Sequence, residues 1–112
     1  MAAPGEPLKF DLWDAMDMIG GVDRPFDVVF ERGDLTLEFY KPPGADLQEA
    51  THTRDELYIV ARGSARLHRG DEIAEVEAGD ALFVPAGATH RFDRLSENFA
   101  TWAVFFGPEK AR

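Results

Sequence analysis

The sequence predicts an all-β protein with one short helix near its N-terminus, and three observations predict it. From Phe26 onward, short runs rich in β-branched and aromatic residues recur: "FDVVFE", "DLTLEFY", "ELYIVAR", "SARLHR", "EIAEVE", "ALFVP" and "FATWAVFF". Glycine, proline and aspartate cut these runs at intervals of roughly 8 to 12 residues, the rhythm of a sandwich or barrel. Within one run, Leu35, Leu37 and Phe39 alternate with Thr36, Glu38 and Tyr40, the period of a strand that buries one face. The alternation predicts that the Leu35–Leu37–Phe39 side is buried and the other side is wetter.

The elements follow in order. Residues 11–20, "DLWDAMDMIG", place Leu12, Trp13, Met16 and Ile19 at helical spacing, with Asp11 as N-cap and Gly20 as a stop. The strands are then separated by Arg32-Gly33-Asp34, Pro42-Pro43-Gly44, Arg62-Gly63, Arg69-Gly70-Asp71 and Ala78-Gly79-Asp80, each with a residue that supplies positive φ or fixes a turn. So many strands in 112 residues must hide their edges, and a closed or doubled sheet such as a jelly roll does so. The expected division is an N-terminal arm, residues 1–25, whose helix packs on a barrel formed by residues 26–112. The last run is apolar on both faces, so a second cover is expected, either this helix or a partner subunit. A homodimer is the plain expectation.

Length and composition fit one soluble domain: 112 residues, 45% hydrophobic and 29% charged. A formal net charge of -9 argues against nucleic acid and anionic membranes as partners, because both require clustered Lys and Arg. The start, "MAAPGEPLKF", has neither a basic leader nor an apolar h-region, so a cytoplasmic protein is expected. With no cysteine, disulfides and thiolate chemistry are excluded, and any metal must be held by nitrogen and oxygen.

Two segments carry donors of that kind. In "EATHTRDELYIV", His52 and Glu56 stand four residues apart. On one straight strand that spacing separates side chains by about 13 Å, beyond the reach of a shared cation with bonds of about 2 Å. Shared coordination needs a bend, and Thr53-Arg54-Asp55 has the polarity of one, so that His52 ends one strand and Glu56 begins its neighbour. In "GDALFVPAGATHRF", Pro85 and Gly87 turn the chain and His90 opens the next strand. Each segment delivers a polar side chain from a strand end, as a metal site inside a small barrel requires. The bland alternative is a polar cluster that binds nothing.

These segments resemble the motifs of the cupin family of small β-barrels. The first motif, G-x5-H-x-H-x3-E-x6-G, falls on Gly44, Ala50, His52, Glu56 and Gly63, with every interval kept and Ala50 departing in type. The second, G-x5-P-x-G-x2-H-x3-N, falls on Gly79, Pro85, Gly87, His90 and Arg94, with Arg94 in place of Asn. The resemblance implies a jelly-roll barrel, often dimeric, holding one divalent metal on the motif histidines and glutamate. It does not imply one reaction, since cupins include dioxygenases, isomerases, lyases and non-catalytic binders. A methyl group at Ala50 cannot bind a cation, so the implied set is His52, Glu56 and His90, a two-histidine, one-carboxylate composition. Nitrogen and oxygen donors of this kind suit Fe, Mn, Ni, Co, Cu or Zn, and the resemblance implies a small molecule as ligand or substrate. An isomerase or lyase also needs a proton shuttle, for which Tyr58 and Glu49 are the candidates.

The remaining polar and aromatic residues admit plainer readings. His68, on a strand beside a turn, is expected to be exposed, and Arg62, just before Gly63, to be solvated. Tyr40, Tyr58, Phe92 and Trp102 suit either a pocket lining or a simple core. Arg94 suits a pair with Asp93 or Glu97. The acidic run Asp71, Glu72, Glu75 and Glu77 reads as a solvated strand face.

Overall fold

The computed structural model describes residues 6–20, 26–42 and 51–109. One helix precedes eight strands: α1 (Leu12–Gly20), β1 (Phe26–Arg32), β2 (Leu35–Tyr40), β3 (Asp55–Arg62), β4 (Ser64–Arg69), β5 (Glu72–Glu77), β6 (Ala81–Val84), β7 (His90–Asp93) and β8 (Ala100–Phe106). They form a doubled sheet and not a hydrogen-bonded ring, a five-stranded sheet in the order β1-β2-β8-β3-β6 and a three-stranded sheet in the order β5-β4-β7. This is the all-β jelly-roll class that the strand rhythm predicts.

Asp11 caps α1 as expected, its Oδ1 accepting the N–H groups of Trp13 at 2.8 Å and Asp14 at 3.2 Å. The helix buries Ala15 and Ile19 against Phe39 and Ala100, with Trp102 packed at the edge of the cluster. Of the two covers expected for the apolar β8, the helix supplies one over this part of the sheet. No helix among the described residues is long and apolar enough to cross a membrane.

The main core lies between the sheets, where Tyr58, Val60, Leu67, Val84, Phe92, Phe99 and Phe105 pack together. Gly63 marks the corner at which the chain leaves the larger sheet for the smaller one. Its φ of +74° is open to glycine, and a Cβ there would lie 2.9 Å from the Phe99 Cα and closer still to Ser96 and Asn98. Ser96 secures the corner, donating its N–H to the Ser64 carbonyl at 2.8 Å and accepting the Ser64 N–H on Oγ at 2.9 Å.

The faces of β2 differ from the expectation. Leu37 and Phe39 turn away from the space between the sheets, where Phe39 packs against α1, whereas Thr36, Glu38 and Tyr40 turn inward. The inward row is polar because this end of the sandwich encloses a cavity. The outward row is apolar, and α1 covers it at Phe39, whereas Leu35 at its start is exposed. Polarity alone therefore misidentifies the inner face.

Candidate metal centre

The smaller end of the larger sheet brings the two predicted segments together. Thr51–Arg54 form an irregular bend before β3, so His52 lies in a loop and not at the end of a paired strand, while Glu56 is the second residue of β3. His90 opens β7 in the opposite sheet. One donor atom from each of His52, Glu56 and His90 can be chosen so that all lie within 4.8 Å of one another.

Burial makes this cluster unusual. Glu56 is 2% exposed and His90 3%, and His52 stands at the opening with a side chain 38% exposed. Glu56 Oε1 lies 3.4 Å from His90 Nε2 and 3.7 Å from His52 Nε2, yet it is buried without a hydrogen-bond partner. The tautomer of His90 explains why: Nδ1 faces the Ala88 carbonyl at 3.1 Å, where it donates, so Nε2 presents a lone pair toward the carboxylate. Two acceptors facing each other are unfavourable unless a cation or a proton stands between them.

A proton is disfavoured on the side of His52. Burial, the largest cause, pushes its pKa below the ordinary 6.5, with His90 and Arg54 pushing the same way and Glu56 pulling it up. A neutral imidazole is the ligand form. Donors held about 2.0–2.2 Å from a shared ion lie about 3.0–3.5 Å from one another, close to the two contacts at Glu56. All three donor atoms lie within 4.8 Å of one another, and His52 is the donor borne on a loop. The residues present therefore fit a divalent ion.

A cavity of about 350 Å³ adjoins the cluster, lined also by Tyr40, Tyr58, Ala103, Phe105, Arg54 and Glu38. Tyr58 is held edge-on to Phe92 with ring centres 4.9 Å apart. Arg54 is fixed at the rim, donating to the Asp34 carbonyl at 3.0 Å with its guanidinium 5.5 Å from the Phe105 ring centre. Glu38, like Arg54 and Phe105, is a lining residue that sequence reasoning missed. It shares the inward parity of Thr36 and Tyr40, and its cross-strand neighbour is the small Ala103, whose own neighbour is Tyr58.

Of the aromatic residues open to either reading, Phe92 is fully buried core and Trp102 faces outward, edge-on to Phe39 at 4.9 Å, while Tyr40 and Tyr58 line the cavity. The expected exposure of His68 is corrected. His68 is largely covered, with Nε2 3.0 Å from Asp93 Oδ2. Asp93 also takes a two-bond contact from Arg66, at 2.9 and 3.0 Å, which holds its carboxyl far below the usual carboxylate range. With Asp93 so engaged, Arg94 is exposed, and its φ of +51° is a left-handed conformation that Asn tolerates better than Arg. Arg62 lies outside the cavity, its guanidinium 5.1 Å from the Trp13 ring centre on α1. Gly44, Glu49 and Ala50 lie outside the described residues.

Comparison with known proteins agrees with this architecture. A cupin structure from Shewanella frigidimarina superimposes with a TM-score of 0.70 at 21% identity, over 85% of this chain and 91% of that one. In sequence, the chain is 41% identical over 68 residues to the acireductone dioxygenase of Citrobacter koseri, covering 56% of this chain and 38% of that enzyme. An uncharacterized protein of Streptomyces coelicolor, SCO3923, is 36% identical over 66 residues, 59% of this chain and 63% of that one. The chain thus spans less than two thirds of either relative. The family description "Cupin domain" matches residues 37–106, which run from β2 through the motif-bearing strands to the end of β8, and on that match the chain belongs to the cupin family.

Proposed function

We propose that His52, Glu56 and His90 hold one divalent transition metal, and that a small oxygenated molecule binds beside it in the cavity. One observation carries this reading: the buried Glu56 Oε1, without a hydrogen-bond partner, faced by two imidazole nitrogens at 3.4 and 3.7 Å. Two histidines and one carboxylate are the donor set of non-haem iron oxygenases, a set that leaves positions open for other ligands. With the likeness to acireductone dioxygenases, this favours dioxygenase chemistry over isomerisation or elimination. When bound, such an ion polarises substrate oxygens and, if it is iron, gives access to oxygen chemistry.

The chain's own residues supply the rest. Phe105 and Ala103 form an apolar wall that limits water, while Arg54 marks the polar rim. Glu38 and Tyr58 stand across the cavity wall from each other and are the groups available to take a proton from a substrate hydroxyl and return it. Glu49, the other candidate shuttle, lies outside the described residues.

A second reading, a binding or sensing module without turnover, is favoured by Ala50, which puts a methyl group where the family motif has a donor. Reconstitution with Fe(II), Ni(II), Co(II), Mn(II) and Zn(II) in turn, followed by oxygen uptake with an acireductone, separates the two. Metal-dependent uptake supports the dioxygenase. Saturable binding of the acireductone without uptake supports the sensor, and protein that takes up no stoichiometric metal removes the dioxygenase.

The outer face of the larger sheet supports self-association. Leu37, Val104, Leu57 and Phe83 form a cross-strand apolar row, with Phe83 45% exposed and the neighbouring Ile59 39% exposed. A homodimer covering this row sediments at twice the monomer mass, and Phe83→Lys returns it to the monomer. A wild-type monomer at high concentration refutes the dimer.

A further inference from the structure

We propose that Asp55 is a positioning residue that sets the approach of His52 to His90, an inference that rests on the metal reading above. The β3–β6 ladder runs through the pair Glu56 and Val84 and then meets Pro85, which has no N–H to continue it. Beyond that break the connection passes to a side chain. Asp55 Oδ1 accepts the N–H of Ala86 at 2.9 Å, and the next N–H, of Gly87, donates to the His52 carbonyl at 2.8 Å.

Both histidines hang on this seam. His52 is attached through its own carbonyl. His90 is attached through the Ala88 carbonyl that faces its Nδ1 at 3.1 Å, and Ala88 is itself held in the turn by its N–H to the Pro85 carbonyl at 3.1 Å. Without the Asp55 acceptor, the Ala86 N–H loses its partner and the turn is released from the loop bearing His52. The two donors then separate while Glu56 stays fixed in its ladder.

The test uses the full chain as wild type, Asp55→Ala and Asp55→Asn, with Ala86→Pro removing the same bond from its donor side. Two quantities are measured: amide exchange at Ala86 and Gly87 in metal-free protein, and Co(II) affinity from its visible absorption. Asp55→Ala is expected to lose protection at both amides and to bind Co(II) about 10- to 100-fold more weakly, the usual effect of removing a residue that orients a ligand. Ala86→Pro weakens Co(II) similarly, whereas Asp55→Asn, whose amide oxygen can accept the same bond, retains both protection and affinity.

Unchanged Gly87 protection in Asp55→Ala overturns the proposal. So does an Asp55→Asn variant as weak as Asp55→Ala, because charge and not the hydrogen bond would then be responsible. A wild type that takes up no Co(II) refutes the metal reading instead, and amide exchange still decides whether the seam exists.

Discussion

Replacing Glu56 by Gln should make the metal-free protein more stable and at the same time less responsive to metal. In the structure Glu56 Oε1 is buried, without a hydrogen-bond partner, and faces the Nε2 atoms of His90 and His52 at 3.4 and 3.7 Å. An unsatisfied buried polar group costs about 1–3 kcal/mol. Glutamine has nearly the same shape and presents an N–H₂ group to the His90 Nε2 lone pair, so the metal-free variant should gain about that much. At roughly 4 °C per kcal/mol for a domain of this size, Tm rises by roughly 4–12 °C. Metal at about 100 times its Kd stabilises the wild type by about 2.7 kcal/mol, which Glu56→Gln should largely forgo because a neutral amide is a poor ligand. Thermal melts of both proteins in chelator and in excess Co(II) check this. A lower Tm for Glu56→Gln in chelator, or an equal metal-induced rise in both proteins, refutes the reasoning.

Three further outcomes follow from other parts of the fold. Gly63→Ala combines a left-handed φ with overlap at Phe99, Ser96 and Asn98, and should destabilise by about 3 kcal/mol or more in urea denaturation. Arg94→Gly should stabilise by about 0.5–1 kcal/mol in the same assay, since relief of the left-handed strain exceeds the added chain entropy of glycine. The pKa of Asp93 is depressed in the folded state, chiefly by Arg66, so its stabilisation is complete above the ordinary value of 3.8 and is lost as pH falls below it. Wild type and Asp93→Asn should therefore differ in urea midpoint at neutral pH and converge on acidification.

The strands were legible because, among the described residues, Gly33, Gly63, Gly70 and Gly79 each take a positive φ between strands, and the observed bounds match the runs closely. The convergence of His52, Glu56 and His90 was legible from the need for a bend at Thr53–Asp55 and from the motif intervals. Sidedness was not. In β2 the polar row faces the cavity and the apolar row packs outward, because a sandwich with a hollow end and a helix on its outside reverses the usual rule. Glu38 was missed for that reason, and the choice between pocket and core for Trp102 stayed open for the same one. His68 looked exposed because its partner Asp93 lies on a strand distant in sequence. The conformational demand at position 94 shows only in the backbone, where its φ is left-handed.

An anomalous-difference map of crystals grown with Co(II) tests the central claim most directly. The account predicts a single peak within bonding distance of His52, Glu56 and His90, absent from crystals of His90→Ala. A map with no peak between the imidazoles, from wild-type protein in which both rings keep their places beside Glu56, would contradict it.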